Sequence, residues 1–226
     1  MLQKPEECDG CELVQIGRGF LRPSGSDRAQ IIGIGESAGD EEAWRGRPFI
    51  ETAQAGGKLE ECLKLAGITR EEIKLWNICG CQPMEPKNDL SRRQNAIDHC
   101  KVHFDRVVLG HAPAIGCGKR VIVAFGSLAA RTLVANCPGV TEWRGFVFSA
   151  ERSYHEFRTN GTGEEATTTY GLVIPTYHPS YIKRGNPELT PLLAFDIKRA
   201  LEVASGTVYN YPTNPNFVDL CIHEFP

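Results

Sequence analysis

Glu36 lies in the glycine-flanked turn Gly35-Glu36-Ser37-Ala38-Gly39, directly after the apolar run Ile31-Ile32-Gly33-Ile34. His178-Pro179-Ser180 comes shortly after a second such run, Leu172-Val173-Ile174-Pro175. A carboxylate can act as a base or stabilise a cationic centre, and an imidazole can donate a hydrogen bond or carry a proton near neutral pH. In an open α/β sheet, polar turns that close buried parallel strands lie over the carboxyl ends of those strands, where ligands bind. The sequence therefore predicts one pocket that holds both residues.

The second chemical signal is cysteine. Nine cysteines are an odd number, which disfavours a disulfide framework and points to metal ligation or redox chemistry. Cys8-Asp9-Gly10-Cys11 is a C-x2-C turn that places two thiolates on one metal, and Zn sites and iron-sulfur clusters usually take four ligands. Cys79, Cys81, Cys100 and Cys117 are candidates for the remaining two, while Cys62, inside a helical stretch, reads as a small core residue.

The elements that position these residues follow from periodicity and punctuation. Strands are expected at 31–35, 74–79 and 121–126, and helices at 56–66 (closed by Gly67), 89–109, 128–135 with Ser127 as N-cap, and 191–204. Leu90, Ile97, Val102, Phe104 and Val108 are available for the inner face of the second helix. Alternating strands and helices define a parallel sheet between helices. Residues 151–170, rich in Thr, Gly and Glu, read as a hairpin tip or insertion, and the Pro- and Asn-rich residues 206–226 as an extended surface tail after a single domain at 1–205.

At 226 residues and 41% hydrophobic content, the chain can bury one sizeable core. No run of ~18 apolar residues can span a membrane, and the polar start lacks the apolar stretch of a secretion signal, so the expectation is a cytoplasmic protein, as a monomer. The net charge of -3 does not announce a polyanion partner. Nucleic-acid contacts would have to come from local pairs such as Arg92-Arg93, Lys183-Arg184 and Lys198-Arg199, which a solvated helix face explains equally well.

Several segments, in this order, resemble the uracil-DNA glycosylase superfamily, most closely its iron-sulfur family 4. They are the Cys8/Cys11 pair, Gly35-Glu36-Ser37-Ala38-Gly39-Asp40-Glu41-Glu42, Gly46-Arg47-Pro48-Phe49, Asn77-Ile78-Cys79-Gly80-Cys81-Gln82-Pro83, Cys100, Gly126, Arg144-Gly145 and His178-Pro179-Ser180. The resemblance implies a three-layer α/β/α sandwich around a central, mainly parallel four-stranded sheet. It makes Cys8, Cys11, Cys81 and Cys100 the ligands of a structural 4Fe-4S cluster, with a structural Zn on the same thiolates as the alternative. It implies a monofunctional glycosylase that hydrolyses the bond from a flipped-out uracil to its sugar and leaves an abasic site in DNA.

Under that resemblance, His178 donates to the pyrimidine O2 as charge collects there, and Glu36 and Glu42 position water or favour a cationic sugar. Phe49 stacks on the base, Asn77 reads its edge through one donor and one acceptor, and Ser37 stands in the same turn where relatives carry Asp. Arg144, Ser180, Lys183 and Arg184 meet DNA phosphates. Each residue also has an ordinary reading: His178 as the cap of the turn before Pro179, Asp40-Glu41-Glu42 as a solvated acidic run, Phe49 as core and Asn77 as a strand-end residue.

The chain departs from the family at Ser37-Ala38, where a proline is usual, and at Gly80, where a lysine is usual. Its loops after Phe49, between Cys81 and Cys100, and at 151–170 also look expanded. Wider loops allow a glycosylase of the same mechanism that excises a bulkier modified pyrimidine, as in antiviral defence; a separate alternative is a non-catalytic iron-sulfur module that binds DNA without hydrolysis.

Overall fold

Runs of five mostly apolar residues, too short for a core helix, form three strands in which every residue is buried: β1 (Ile31–Gly35), β2 (Ile73–Asn77) and β3 (Val121–Phe125). A computed structural model describes residues 4–11, 17–82, 90–157 and 163–208. Two longer strands, β4 (Phe148–Phe157) and β5 (Gly163–Thr176), complete one sheet in the order β2-β1-β3-β5-β4. β2, β1, β3 and β5 are parallel, and β4 runs antiparallel to β5 along the edge. The sheet thus has five strands instead of the expected four. Most of residues 151–170, read as a hairpin tip, are paired β4 and β5 backbone, with an irregularity at Ala150/Glu151.

The helices are α1 (Asp40–Arg45), α2 (Gln54–Ala66), α3 (Leu90–Leu109), α4 (Ser127–Leu133), α5 (Val140–Trp143), α6 (Pro179–Lys183) and α7 (Thr190–Ala204). Because side chains alternate across a strand, each strand feeds two cores. Ile32, Ile34, Trp76, Ile122, Ala124 and Val173 pack with α3 and α4. Ile31, Leu75, Val121, Val123, Phe125 and Ile174 pack with α2 and α7 on the other face. The result is the three-layer α/β/α sandwich that the resemblance implied, around the parallel sheet that the order of elements predicted. Each fully buried Ile, Leu or Phe stabilises it by about 1.5–3 kcal/mol.

Two local expectations are corrected. Val102 is 43% exposed, because the inner stripe of α3 runs through Ile97, Cys100, Phe104, Val107 and Val108. Ser127 is the first residue of α4, and the cap is Gly126, whose φ of 90° suits glycine. Gly67 closes α2 in the left-handed conformation as expected.

From β1 the chain adds β2 on one side and then β3 on the other, so the strand order reverses between β1 and β3. In sheets of this type the carboxyl ends at such a reversal open into a crevice.

Candidate active site and cysteine pocket

Four strand ends converge there. β1 ends at Gly35 and leads into Glu36 and Ser37, both partly buried. β2 ends at Asn77, paired in register with Gly35. β3 ends at Phe125, and β5 leads through Thr176 and Tyr177 to His178. The absence of a side chain at Gly35 shapes the pocket: a Cβ there would sit 2.4 Å from Asn77 Oδ1 and 2.7 Å from Phe49 Cζ. Asn77, Phe49 and the β1 backbone therefore share one wall.

Phe49 is the central piece. It is 1% exposed, packs edge-on against Phe125 with ring centroids 5.4 Å apart, and lies 5.7 Å from the His178 ring. Its φ is +49°, a left-handed conformation uncommon for a non-glycine residue. The surrounding structure holds it on both sides of the residue. The Phe49 N–H donates to Glu42 Oε1, while Arg70 Nη2 donates to the Phe49 carbonyl at 2.5 Å and to that of Pro48 at 3.3 Å. Such strain persists only where neighbours over-determine it.

Glu42 is therefore committed. It is 7% exposed, and its second oxygen accepts the Gly39 N–H at 2.6 Å, the capping-box contact three residues into a helix. Burial raises its carboxyl above the ordinary value, opposed by the two amide hydrogen bonds that favour the anion. The sequence offered Glu42 as a catalytic carboxylate or a solvated acid. Its geometry makes it a buried clamp on the Phe49 backbone, which leaves Glu36 as the carboxylate on the pocket turn.

Asn77 is 1% exposed, and its Nδ2 has no hydrogen-bond partner among the described residues. A buried donor without a partner costs about 1–3 kcal/mol, so an amide kept in this state marks a place where a ligand would complete it.

His178 caps α6. The Ser180 backbone N–H donates to its Nδ1 at 3.1 Å, and the Ser180 hydroxyl stands 2.7 Å from the same nitrogen. A backbone N–H can only donate, so Nδ1 is the acceptor and, in the neutral ring, the hydrogen resides on Nε2. Burial, with a smaller contribution from the Arg184 charge, pushes the His178 pKa down to about 4, which keeps the ring neutral near pH 7. The ordinary capping reading and the functional one hold together: the cap fixes the tautomer.

The phosphate candidates separate. Lys183 and Arg184 are exposed at the end of α6, and Ser180 is partly buried beside His178. Arg144 is engaged elsewhere. Its Nη2 and Nε meet both oxygens of fully buried Asp196 at 2.7 and 3.1 Å, and Asp196 also accepts from Thr176 Oγ1 at 2.6 Å. Burial raises the Asp196 carboxyl, against these hydrogen bonds. This network braces the end of β5 just before His178, so Arg144 holds the frame instead of facing phosphate. Sequence reading missed Arg70, Asp196 and Thr176. Only the capping-box spacing of Gly39 and Glu42 gave a local signal for any part of these two networks.

A second site lies apart from the pocket. Cys8, Cys11, Cys81 and Cys100 line one pocket, together with Lys4, Phe20 and His99. Among the described residues, no three His, Cys, Asp or Glu side chains are gathered closely enough to hold a single metal ion. Four thiols lining one pocket are the donor set that an iron-sulfur cluster or a structural zinc takes. Cys79 is outside this set and donates to Cys100, which helps to bring the Cys100 thiol down to about 7. Cys117 packs with the core on the opposite face of the sheet, and Cys62 is fully buried there, as expected.

The strand ends of a mainly parallel sheet thus gather a carboxylate, an amide, a clamped aromatic ring and a tautomer-fixed imidazole, and similarity to known proteins makes the chain a DNA glycosylase, a hydrolase of N-glycosyl bonds. The chain belongs to the uracil DNA glycosylase superfamily, whose family model matches residues 23–199. It is 27% identical to a type-4 uracil-DNA glycosylase of Thermotoga maritima over 88% of this chain and 90% of the relative. A type-4 enzyme of Sulfurisphaera tokodaii is 26% identical over 87% and 80%, and one of Archaeoglobus fulgidus 24% over 90% and 93%. No helix among the described residues is long and apolar enough to cross a membrane.

Proposed function

We propose that the protein hydrolyses the N-glycosidic bond of a flipped-out uracil in DNA and leaves an abasic site. The observation that carries this reading is the buried Asn77 amide, with a free donor on the same wall as Phe49. An amide offers one donor and one acceptor, which match the O4 and N3–H of uracil, while cytosine presents the opposite pattern. Phe49 stacks on the ring, and its rigid backbone keeps the stacking plane fixed relative to Asn77.

As the base departs, negative charge collects on O2, and His178 Nε2–H donates to it. The Ser180 N–H on Nδ1 holds the ring in this tautomer, so no reorganisation is needed when charge appears. Glu36 favours the cationic sugar and positions water, which adds hydroxide to C1′ while its proton passes to the departing base or solvent. Lys183 and Arg184 hold the flanking phosphates through a salt-sensitive term.

Cys8, Cys11, Cys81 and Cys100 would hold a 4Fe-4S cluster, and the meeting of these four thiols around one pocket supports a metal centre there. Bound there, the cluster supplies iron-thiolate bonds that tie the N-terminal segment to the loop after β2 and to α3. Hydrolysis asks no electron of it.

The test is base release by anaerobically prepared protein from matched oligonucleotides carrying uracil, thymine, cytosine or a bulky modified cytosine. Release of uracil alone supports the proposal. Release of only the modified base, or of nothing at any enzyme concentration, overturns it.

A further inference from the structure

His103 lies on α3, three residues beyond the ligand Cys100, so one helix carries both on neighbouring positions. It is 5% exposed, and its Nε2 stands 3.3 Å from the Sγ of Cys8, 95 positions away in the sequence. Phe20, which lines the cysteine cavity, packs edge-on against the imidazole with ring centroids 4.9 Å apart at 69° and limits its rotation. An ion pair between Glu7 Oε1 and Arg106 Nη2 at 2.5 Å ties the segment bearing Cys8 to the next turn of α3.

We propose that His103 is a positioning residue of the cysteine site, whose Nε2–H hydrogen-bonds the Cys8 sulfur, orients that ligand and raises the reduction potential and durability of a bound iron-sulfur cluster. The inference rests on the cluster reading above. A metal-bound thiolate has no proton and can only accept, so the ring nitrogen that faces it must carry the hydrogen. The hydrogen bond withdraws charge from the sulfur, which favours the reduced cluster, and it holds the side chain in its ligating rotamer.

Wild-type protein, His103→Phe and His103→Gln, all prepared anaerobically, test the proposal. The readouts are iron and acid-labile sulfide content, the reduction potential by voltammetry, and the rate at which the visible absorption bleaches with a chelator. His103→Phe is expected to load the cluster but to show a lower potential and roughly tenfold faster bleaching. His103→Gln, which keeps an N–H donor, should recover most of both. If His103→Phe does not fold, His103→Met fills the volume without a donor and takes its place.

A donor-free variant with the wild-type potential and bleaching rate would overturn the proposal while the cluster reading stands. Wild-type protein that contains zinc, or neither iron nor sulfide, would instead overturn the cluster reading, and this inference with it.

Discussion

Glu42 separates a structural from a chemical role most sharply. Its two oxygens accept the N–H groups of Gly39 and Phe49 in a buried environment, and one of these contacts holds Phe49 at a positive φ. In Glu42→Gln one oxygen remains an acceptor, and the other becomes an NH2 that faces a donor. Loss of one charge-assisted hydrogen bond costs about 1.5–3 kcal/mol, and the buried N–H left without an acceptor costs about 1–3 more. The burial that raises the carboxyl already offsets part of this, so the net expectation is about 3 kcal/mol. For a domain of this size that lowers Tm by about 6–12 °C. Thermal unfolding followed by circular dichroism, beside single-turnover base release, checks it. The variant should unfold early and bind substrate more weakly as Phe49 relaxes. Unchanged Tm with base release abolished would refute the clamp and return Glu42 to the chemistry.

Four further expectations follow from the same geometry. His178 is neutral in the folded protein with its pKa pushed down to about 4, so the acid limb of base release should fall well below pH 6.5, whereas an inflection near 6.5 would contradict the assigned tautomer. The unfolded chain binds that proton more readily, so His178 makes stability rise with pH between about 4 and 6.5, which His178→Ala should remove from the pH dependence of Tm. Gly35→Ala places a methyl group against Asn77 and Phe49, and base release should drop at least 100-fold while circular dichroism stays native; wild-type rates would place the pocket elsewhere. The double variant Lys183→Ala/Arg184→Ala should reduce the slope of log binding against log salt by about 1.5, and an unchanged slope would show that these side chains do not meet phosphate.

Much of the site was legible because its residues sit where strong local signals end. A buried strand followed by Gly-Glu, by Asn or by Thr-Tyr-His-Pro declares both the strand and the exit of its chain at the pocket. The parallel sheet followed from the alternation of strands and helices, and the three-layer sandwich from the family resemblance. What stayed hidden depended on pairings remote in sequence. Arg144 finds Asp196 52 positions later, and Arg70 finds the Phe49 carbonyl 21 positions earlier, and no local pattern distinguishes such arginines from phosphate contacts. The left-handed Phe49 is equally unreadable, since an aromatic residue normally avoids that region. The edge strand β4 was missed because its polar residues, and the Thr-rich first half of β5 that pairs with it, resemble a loop, although an edge strand needs little apolar surface. The expected tail lies almost wholly outside the described residues.

The most direct test of the account is single-turnover release of uracil by wild-type protein, Asn77→Ala and His178→Ala, with Tm measured on each. The account predicts uracil release by the wild type and a loss of about 100-fold or more in each variant, with little change in Tm, as expected when a preorganised donor is removed. Uracil released at wild-type rates by both variants would contradict it.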